Sequence, residues 1–166
     1  MNESKSLIED WKRRRDGAKA RISERLKKFD RLPSIRVDDA ADQAHEKVFR
    51  KLDCLDCANC CSSIPPIIND TDARRIAKHL GMNPGAFMAE YVVFDEDDDM
   101  VINSSPCPFL GSDNYCSIYE VRPKACREYP HTDEGTFSRN LRLHQPNAHY
   151  CPAVFHILEE MERKLF

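Results

Sequence analysis

Long apolar runs are missing from this chain. Nothing between Met1 and Phe29 resembles the apolar stretch of a secretory leader, and no later segment approaches the roughly 18 apolar residues that a membrane span requires. The expectation is a cytoplasmic protein without a membrane span. Glycine is also scarce, at 5 residues of 166, and no internal repeat, low-complexity linker, phosphate-binding glycine loop or paired acid–base motif is visible. These absences weigh against repeat architectures and nucleotide-phosphate enzymes. They leave one domain's worth of chain, long enough to bury a core and too short for two large ones.

Cysteine, by contrast, is abundant: eight residues, four of them within Cys54-Leu55-Asp56-Cys57-Ala58-Asn59-Cys60-Cys61. The others are Cys107, Cys116, Cys126 and Cys151. In a reducing compartment clustered thiols serve as metal ligands or redox groups more often than as disulfides. Eight would also suit four disulfides, but adjacent and near-adjacent cysteines clamp a chain poorly. A thioredoxin-like couple is disfavoured because its βαβ surroundings are missing.

The net charge of −3 conceals an asymmetry. Through Arg36 there are 12 Lys/Arg against 6 Asp/Glu, leaving 13 against 22 of the chain's 25 and 28 in the remainder. Two segments follow from this: residues 1–36, a basic amphipathic arm, and residues 37–166, a cysteine-cluster domain. In the arm, Ile8, Trp11, Ala18, Ile22, Leu26 and Phe29 recur at helical spacing and predict one helix over Leu7–Phe29. Its role is expected to be docking a protein partner. Basic residues on the far face are the ordinary solvated kind, so nucleic-acid contact is disfavoured.

Leu32-Pro33-Ser34 breaks the arm, and a second helix is expected from Asp38 or Asp39 to Leu52. His45 on it is read as an ordinary hydrogen-bonded histidine before a ligand. Ile64-Pro65-Pro66-Ile67-Ile68 must be extended. A cap at Asn69–Thr71 starts a helix that Gly81 stops at Leu80, and Asn83-Pro84 starts another to about Tyr91. The acidic run Asp95–Asp99 reads as a solvated loop, lacking the spaced ligands of a calcium loop. Met100–Asn103 is expected to pair antiparallel with Tyr115–Ile118 in a hairpin, with Cys107 and Cys116 on its arms. Pro123 begins a short helix through Arg127, residues 131–149 read as polar and irregular, and Pro152 opens a last amphipathic helix. The fold class is mainly α with short β elements around an irregular, metal-centred cysteine core.

Thiolate is a soft ligand that favours zinc and iron–sulfur clusters. Cys54, Cys57 and Cys60 follow the interval that gives three thiolates to a four-iron cluster, whose fourth ligand comes from a remote Cys-Pro. Two such pairs occur, Cys107-Pro108 and Cys151-Pro152. The same interval makes a zinc knuckle. Cys60 and Cys61 point apart, so one of them faces a different site. In a continuous helix, Cys54, Cys57 and Cys61 would fall within about 60° of one another. Eight thiols fill two four-cysteine sites, or one full site and a smaller one completed by histidine, aspartate or solvent; His131, His144 and His149 are available for completion.

With its CxxCxxCC block at Cys54, Cys57, Cys60 and Cys61, then Cys107-Pro108-Phe109-Leu110, then Cys116-Ser117-Ile118-Tyr119-Glu120-Val121-Arg122-Pro123 leading to Cys126 and Tyr129-Pro130, the sequence resembles the YkgJ-type CxxCxxCC family of bacterial zinc- or iron-chelating domains. The resemblance covers Cys54 to Pro130. It implies chelation by Cys54, Cys57, Cys60, Cys61, Cys107, Cys116 and Cys126. Cys151 is followed by Pro152 and Ala153, where members often carry a cysteine near a glycine. Arg122 and Arg127 flank the set and could donate to thiolate sulfur. The expected function is accessory metal binding, with zinc or an iron–sulfur cluster, four-iron if iron, in one or two centres. An iron–sulfur redox enzyme or electron carrier and a purely structural zinc module are the alternatives, and the leaning is against an enzyme.

Overall fold

The computed structural model describes residues 2–166. Its helices are α1 (Glu3–Arg14), α2 (Lys19–Asp30), α3 (Ser34–Phe49), α4 (Asn59–Ser63), α5 (Asp70–Leu80), α6 (Pro84–Tyr91), α7 (Lys124–Glu128), α8 (Leu141–Tyr150) and α9 (Pro152–Leu165). Strands β1 (Val92–Phe94) and β2 (Met100–Ile102) form one antiparallel sheet, with Val93 opposite Val101. The fold class is thus mainly α with short β elements. Among the described residues, no helix is long and apolar enough to cross a membrane. The chain divides into two compact units, residues 1–57 with 130–166, and residues 58–129.

The first unit is organised on α9. From Pro152 to Leu158 every residue of this helix is buried, as are Met161 and Leu165. A helix buried on every side over its first two turns must be surrounded there, and its charged last turns keep one exposed face. Its surround comes from Ile8 and Trp11 of α1, Ile22, Leu26 and Phe29 of α2, Val37, Ala41, Ala44 and Val48 of α3, and Ala148 of α8. The Trp11 indole N–H donates to the Ala148 carbonyl at 3.0 Å, so this large side chain is buried with its polar atom satisfied. The expected single helix over Leu7–Phe29 is two helices. Arg15 to Gly17 form a turn, closed by the Ala18 N–H on the Arg15 carbonyl at 3.2 Å. Gly17 favours that break, costing about 1 kcal/mol relative to alanine inside a helix. The segment read as irregular contains α8, which tolerates Pro146 inside it.

The second unit is built on local signals. Asn69 and Asp72 form a capping box: the Asp72 N–H donates to Asn69 Oδ1 at 2.8 Å, and the Asn69 N–H to Asp72 Oδ2 at 3.5 Å. Gly81 ends α5 at a φ of 68° and Pro84 opens α6. The core is Ile68, Ala73, Ile76, Ala77, Phe87, Ile102, Phe109 and Ile118. The expected hairpin is corrected. β2 pairs with β1 on one side, and on the other side Pro66–Ile68 runs along it, the Ile68 N–H donating to the Met100 carbonyl at 2.7 Å. Residues 107–116 close their own small loop instead.

Candidate metal centre

The CxxCxxCC block is two structures in succession. Cys54–Asp56 form one tight turn, held by the Asp53 carboxylate accepting the Leu55 N–H at 2.9 Å and by the Cys57 N–H donating to the Cys54 carbonyl at 3.0 Å. Ser4 Oγ accepts the Asp53 N–H at 2.9 Å and ties this turn to α1. Ala58 then takes a left-handed conformation, φ 47° and ψ 19°, which costs a non-glycine residue roughly 1–2 kcal/mol. Helix α4, carrying Cys60 and Cys61, starts immediately after it. The helical option that aligned Cys54, Cys57 and Cys61 therefore does not occur. The boundary between the two units falls between Cys57 and Ala58.

Within residues 58–129, four thiols are drawn towards one another. The Cys107 N–H donates to the Cys61 carbonyl at 2.9 Å, joining the second half of the block to Cys107-Pro108. Cys107 and Cys116 close a loop through a bridge between Leu110 and Cys116, with the Gly111 N–H on the Tyr115 carbonyl and the Ser117 N–H on the Phe109 carbonyl, both at 2.8 Å. A Cβ on Gly111 would lie 2.6 Å from Asp113 Oδ1 and 3.2 Å from the Tyr115 carbonyl, so this tight turn is built for glycine. Cys126 is presented by α7.

The electrostatics report the same gathering. Burial pushes the Cys126 thiol up to about 12, and the charges of Cys61, Cys107 and Cys116 push in the same direction. Cys107 is raised by burial and by Cys116 and Cys61; Cys116 is raised by burial and by Cys61. Cys61 moves the other way, lowered to about 7 by a hydrogen bond from Cys60, against burial, with help from the Arg122 charge. The raised groups stay protonated thiols near neutral pH, and a bound cation would have to displace their protons to make four thiolates here. All eight cysteines are thiols, and the disulfide reading finds no bridge.

The surroundings of this set include residues that the sequence reading passed over. Asp72, 2% exposed, accepts the Lys124 N–H at the start of α7 at 3.1 and 3.2 Å and pairs with Arg75 at 2.5 Å. Arg75 also donates to the carbonyls of Val121 (3.3 Å) and Arg122 (2.9 Å). Together they hold the segment from Val121 to Lys124, two residues before Cys126. The legible signal was Asn69-x-x-Asp72, which marked a cap without showing that its carboxylate also caps α7. Arg122 stacks on Tyr119 at 3.8 Å, and its charge favours the thiolates of Cys61, Cys116 and Cys126. Arg127 donates to the Arg122 carbonyl at 2.8 Å.

Of the remaining four thiols Cys60 lies beside Cys61, and the other three belong to the other unit. Cys57 and Cys151 pack against the same core, and Cys54 is exposed. Cys151 precedes α9, with Pro152 in the helix's first turn. As a residue Cys151 keeps some exposure, but its thiol is deep enough for burial to push it up to about 12. The charges of Cys54 and Cys57 also raise it, while the Val154 and Ala153 N–H groups favour its thiolate. Of the histidines considered as ligands, three have other neighbours, and His131 sits half-buried with a left-handed backbone just after Pro130. His45 Nδ1 lies 2.8 Å from Thr132 Oγ1, His149 Nδ1 lies 3.8 Å from Asp16, and His144 is stacked on Phe137 at 3.9 Å with Nε2 on the Phe137 carbonyl.

Among the described residues, no group of three or more His, Cys, Asp or Glu side chains stands in an arrangement that could hold a metal ion as placed. The donor chemistry nevertheless fits a soft cation: four thiols of one unit share one electrostatic field, with a guanidinium beside them. A chain whose reactive groups are gathered thiols on a small, mainly helical fold falls in the class of cysteine-cluster metal-binding domains. It belongs to the CxxCxxCC family, whose model, described as "Putative zinc- or iron-chelating domain", matches residues 53–152, more than half of the chain. No curated protein and no solved structure matches it.

Proposed function

We propose that the protein is an accessory metalloprotein that binds zinc or an iron–sulfur cluster, of the four-iron type if iron, through Cys61, Cys107, Cys116 and Cys126. The observation that carries this reading is the convergence of three separate stretches on one field. The Cys107 N–H bonds the Cys61 carbonyl, the Leu110–Cys116 bridge joins the next arm, and the charges of all three other thiols fall on Cys126. Four thiolates satisfy a tetrahedral zinc site and equally the four corners of a cubane. Metal loading draws the thiols inward from their present positions, and Cys60 supports Cys61 by hydrogen bonding.

Anaerobic purification followed by metal and acid-labile sulfide analysis tests this. Iron with matching sulfide supports the cluster, and reversible reduction would then favour the electron-carrier reading. A colourless protein that holds zinc and unfolds without it favours the structural module. Cys126→Ser should lower the metal content; an unchanged content with intact folding would sink the proposal.

Partner docking is proposed on a different part of the molecule. The apolar face of α1 and α2 is spent inside their own unit, so an outside partner would meet the charged side of α1. A groove of about 420 Å³ lies there, lined by Asp10, Arg13 and Arg14 of α1 and by His156, Glu159 and Arg163 of α9. Charge reversal at Arg13 and Arg163 should reduce capture of a partner while leaving metal content and folding intact; unchanged capture would refute the assignment.

A further inference from the structure

Strand β1 of the second unit has a free edge. It pairs with β2 on one side, and among the described residues no strand lies on its other side. Two bonds just beyond the paired residues fix the phase of this ladder: the Asn103 N–H donates to the Tyr91 carbonyl at 2.9 Å, and the Asp95 N–H to the Asp99 carbonyl at 3.0 Å. Hydrogen-bonded pairs alternate in an antiparallel ladder, so Val93 turns its N–H and carbonyl towards β2 while Val92 and Phe94 turn theirs away. The Met88 carbonyl takes the Val92 N–H. The Val92 carbonyl and both backbone groups of the exposed Phe94 remain on the open edge.

The outer face of the same ladder is apolar. Val101 lies opposite Val93 on one side and opposite Ile67 on the other, so the three side chains form one row. Ile68, Val92 and Ile102 belong to the core of the unit, which puts the row on the opposite face. Val93 and Ile67 are 46% and 49% exposed. An antiparallel sheet with one solvated face carries polar residues at such positions, whereas strands that are apolar on both faces are covered on both.

Charge selects what covers this edge. Glu90 stands before β1 and the run Asp95–Asp99 after it, all exposed, and no Lys or Arg occurs between Lys78 and Arg122. A second copy of the chain meets like charge here: two β1 strands paired antiparallel about Val93 would bring Glu90 of one copy towards Glu96 of the other. The acidic ends thus keep copies of an apolar edge apart. An extended segment with Lys or Arg on either side of apolar residues meets opposite charge at both ends. We infer that the open edge of β1 is a docking site for such a basic, extended segment of a partner protein, which adds as a further strand with its apolar residues beside Val93 and its cations beside Glu90 and Asp95–Asp99. The inference is independent of the metal-binding reading and of the charged groove between α1 and α9.

The test uses the full chain and a fluorescent synthetic peptide in which valine alternates with lysine. Anisotropy at low salt reads binding, against the same peptide with glutamate for lysine and the same peptide N-methylated at two consecutive central amides, which blocks both of its edges. The lysine peptide should bind and should protect the Phe94 amide from hydrogen exchange, and each control should bind at least about tenfold more weakly. Phe94→Pro removes the outward N–H, leaves the pairing with β2 in place, and should abolish binding. Glu96→Lys with Asp97→Lys reverses charge at one end and spares Asp95, whose carboxylate accepts the Asp97 and Asp99 N–H groups at 2.9 and 3.0 Å. This variant should bind the lysine peptide about tenfold more weakly and the glutamate peptide more tightly, both effects fading with salt. Its changes are on the surface, so it keeps the fold even if Phe94→Pro does not, and circular dichroism checks both. Equal affinity for the N-methylated peptide, or binding that leaves the Phe94 amide unprotected, would show adhesion by charge alone and overturn the inference. No binding of the lysine peptide would overturn it too, as would a dimer in sedimentation that Phe94→Pro dissolves, which would give the edge to a second copy. Metal content should be the same in both variants, so none of these outcomes bears on the thiol site.

Discussion

Replacing Asp72 with alanine should loosen the second unit and its metal site together. The carboxylate is 2% exposed and accepts from Arg75 at 2.5 Å and from the Lys124 N–H at 3.1 and 3.2 Å. Breaking a buried charged pair by removing one partner costs about 3–5 kcal/mol. Arg75 is 30% exposed and still donates to the Val121 and Arg122 carbonyls, so water and these acceptors recover part of its share. The Lys124 N–H loses its acceptor at a helix start, about 1 kcal/mol. The expected loss is about 2–3 kcal/mol for Asp72→Ala. For Asp72→Asn it is about 1 kcal/mol, because the amide oxygen still accepts the Lys124 N–H. Urea unfolding of metal-stripped protein under reducing conditions measures both. Lys124 is also two residues before Cys126, so metal affinity should fall by about tenfold in the alanine variant, as for other residues that orient ligands. If Asp72→Ala lost less than about 1 kcal/mol, or if the asparagine variant lost as much, the assignment of α7's position to this carboxylate would be wrong.

Acid should act in two separable windows in the first unit. Burial holds the His144 imidazole down at about 4 against an ordinary 6.5, so the unfolded chain binds the proton first, and stability should fall as pH drops from 6.5 to 4, by up to about 3 kcal/mol. His144→Gln should flatten that slope in urea midpoints taken at pH 7 and pH 4.5; an unchanged slope would place the acid sensitivity elsewhere. Glu159 behaves oppositely in origin: burial alone would raise it, but hydrogen bonds from His156 and Arg14 and the Arg14 charge hold it at about 2 against 4.5. Its stabilisation is present above pH 4.5 and is lost on descending towards pH 2, so Glu159→Gln should lower stability at pH 7 by about 2 kcal/mol and show little further loss below pH 4. Trp11→Phe removes the donor to the Ala148 carbonyl and leaves that buried acceptor unmet, which predicts a loss of about 2 kcal/mol in thermal or urea unfolding.

Much of the helical scaffold was written in local chemistry. Asn69, Gly81, Pro84 and Pro152 mark ends that backbone hydrogen bonding enforces, and the apolar residues of α9 name the helix that the first unit encloses. The break at Gly17 escaped because Ile8, Trp11, Ala18, Ile22, Leu26 and Phe29 stay in helical phase across it, so the pattern looks the same with or without a turn. Helix α8 escaped because Pro146 and its polar residues suppress the periodic signal; its burial comes from His144 and Ala148 packing in the tertiary structure. The strand partner of β2 was misread because Val92–Phe94 continues directly from α6, and a three-residue strand carries too little alternation to announce itself. Which residues carry the chemistry was visible as cysteines. The approach of Cys61 to Cys107 is a backbone contact between stretches more than 40 residues apart, which no spacing rule encodes.

Metal binding within residues 58–129 has a thermodynamic consequence. A cation held by Cys61 and Cys126 closes a loop of about 65 residues. On the chain-entropy estimate for cross-links, that closure restricts the unfolded ensemble by roughly 4–5 kcal/mol, and the value hardly changes with loop length. Stripping the metal should therefore lower the stability of this unit. Cys126→Ser should remove the metal dependence of residues 58–129 in hydrogen exchange. A dependence that persisted undiminished in the folded variant would mean that Cys126 is not a ligand, and the closure would then have to run through other thiols.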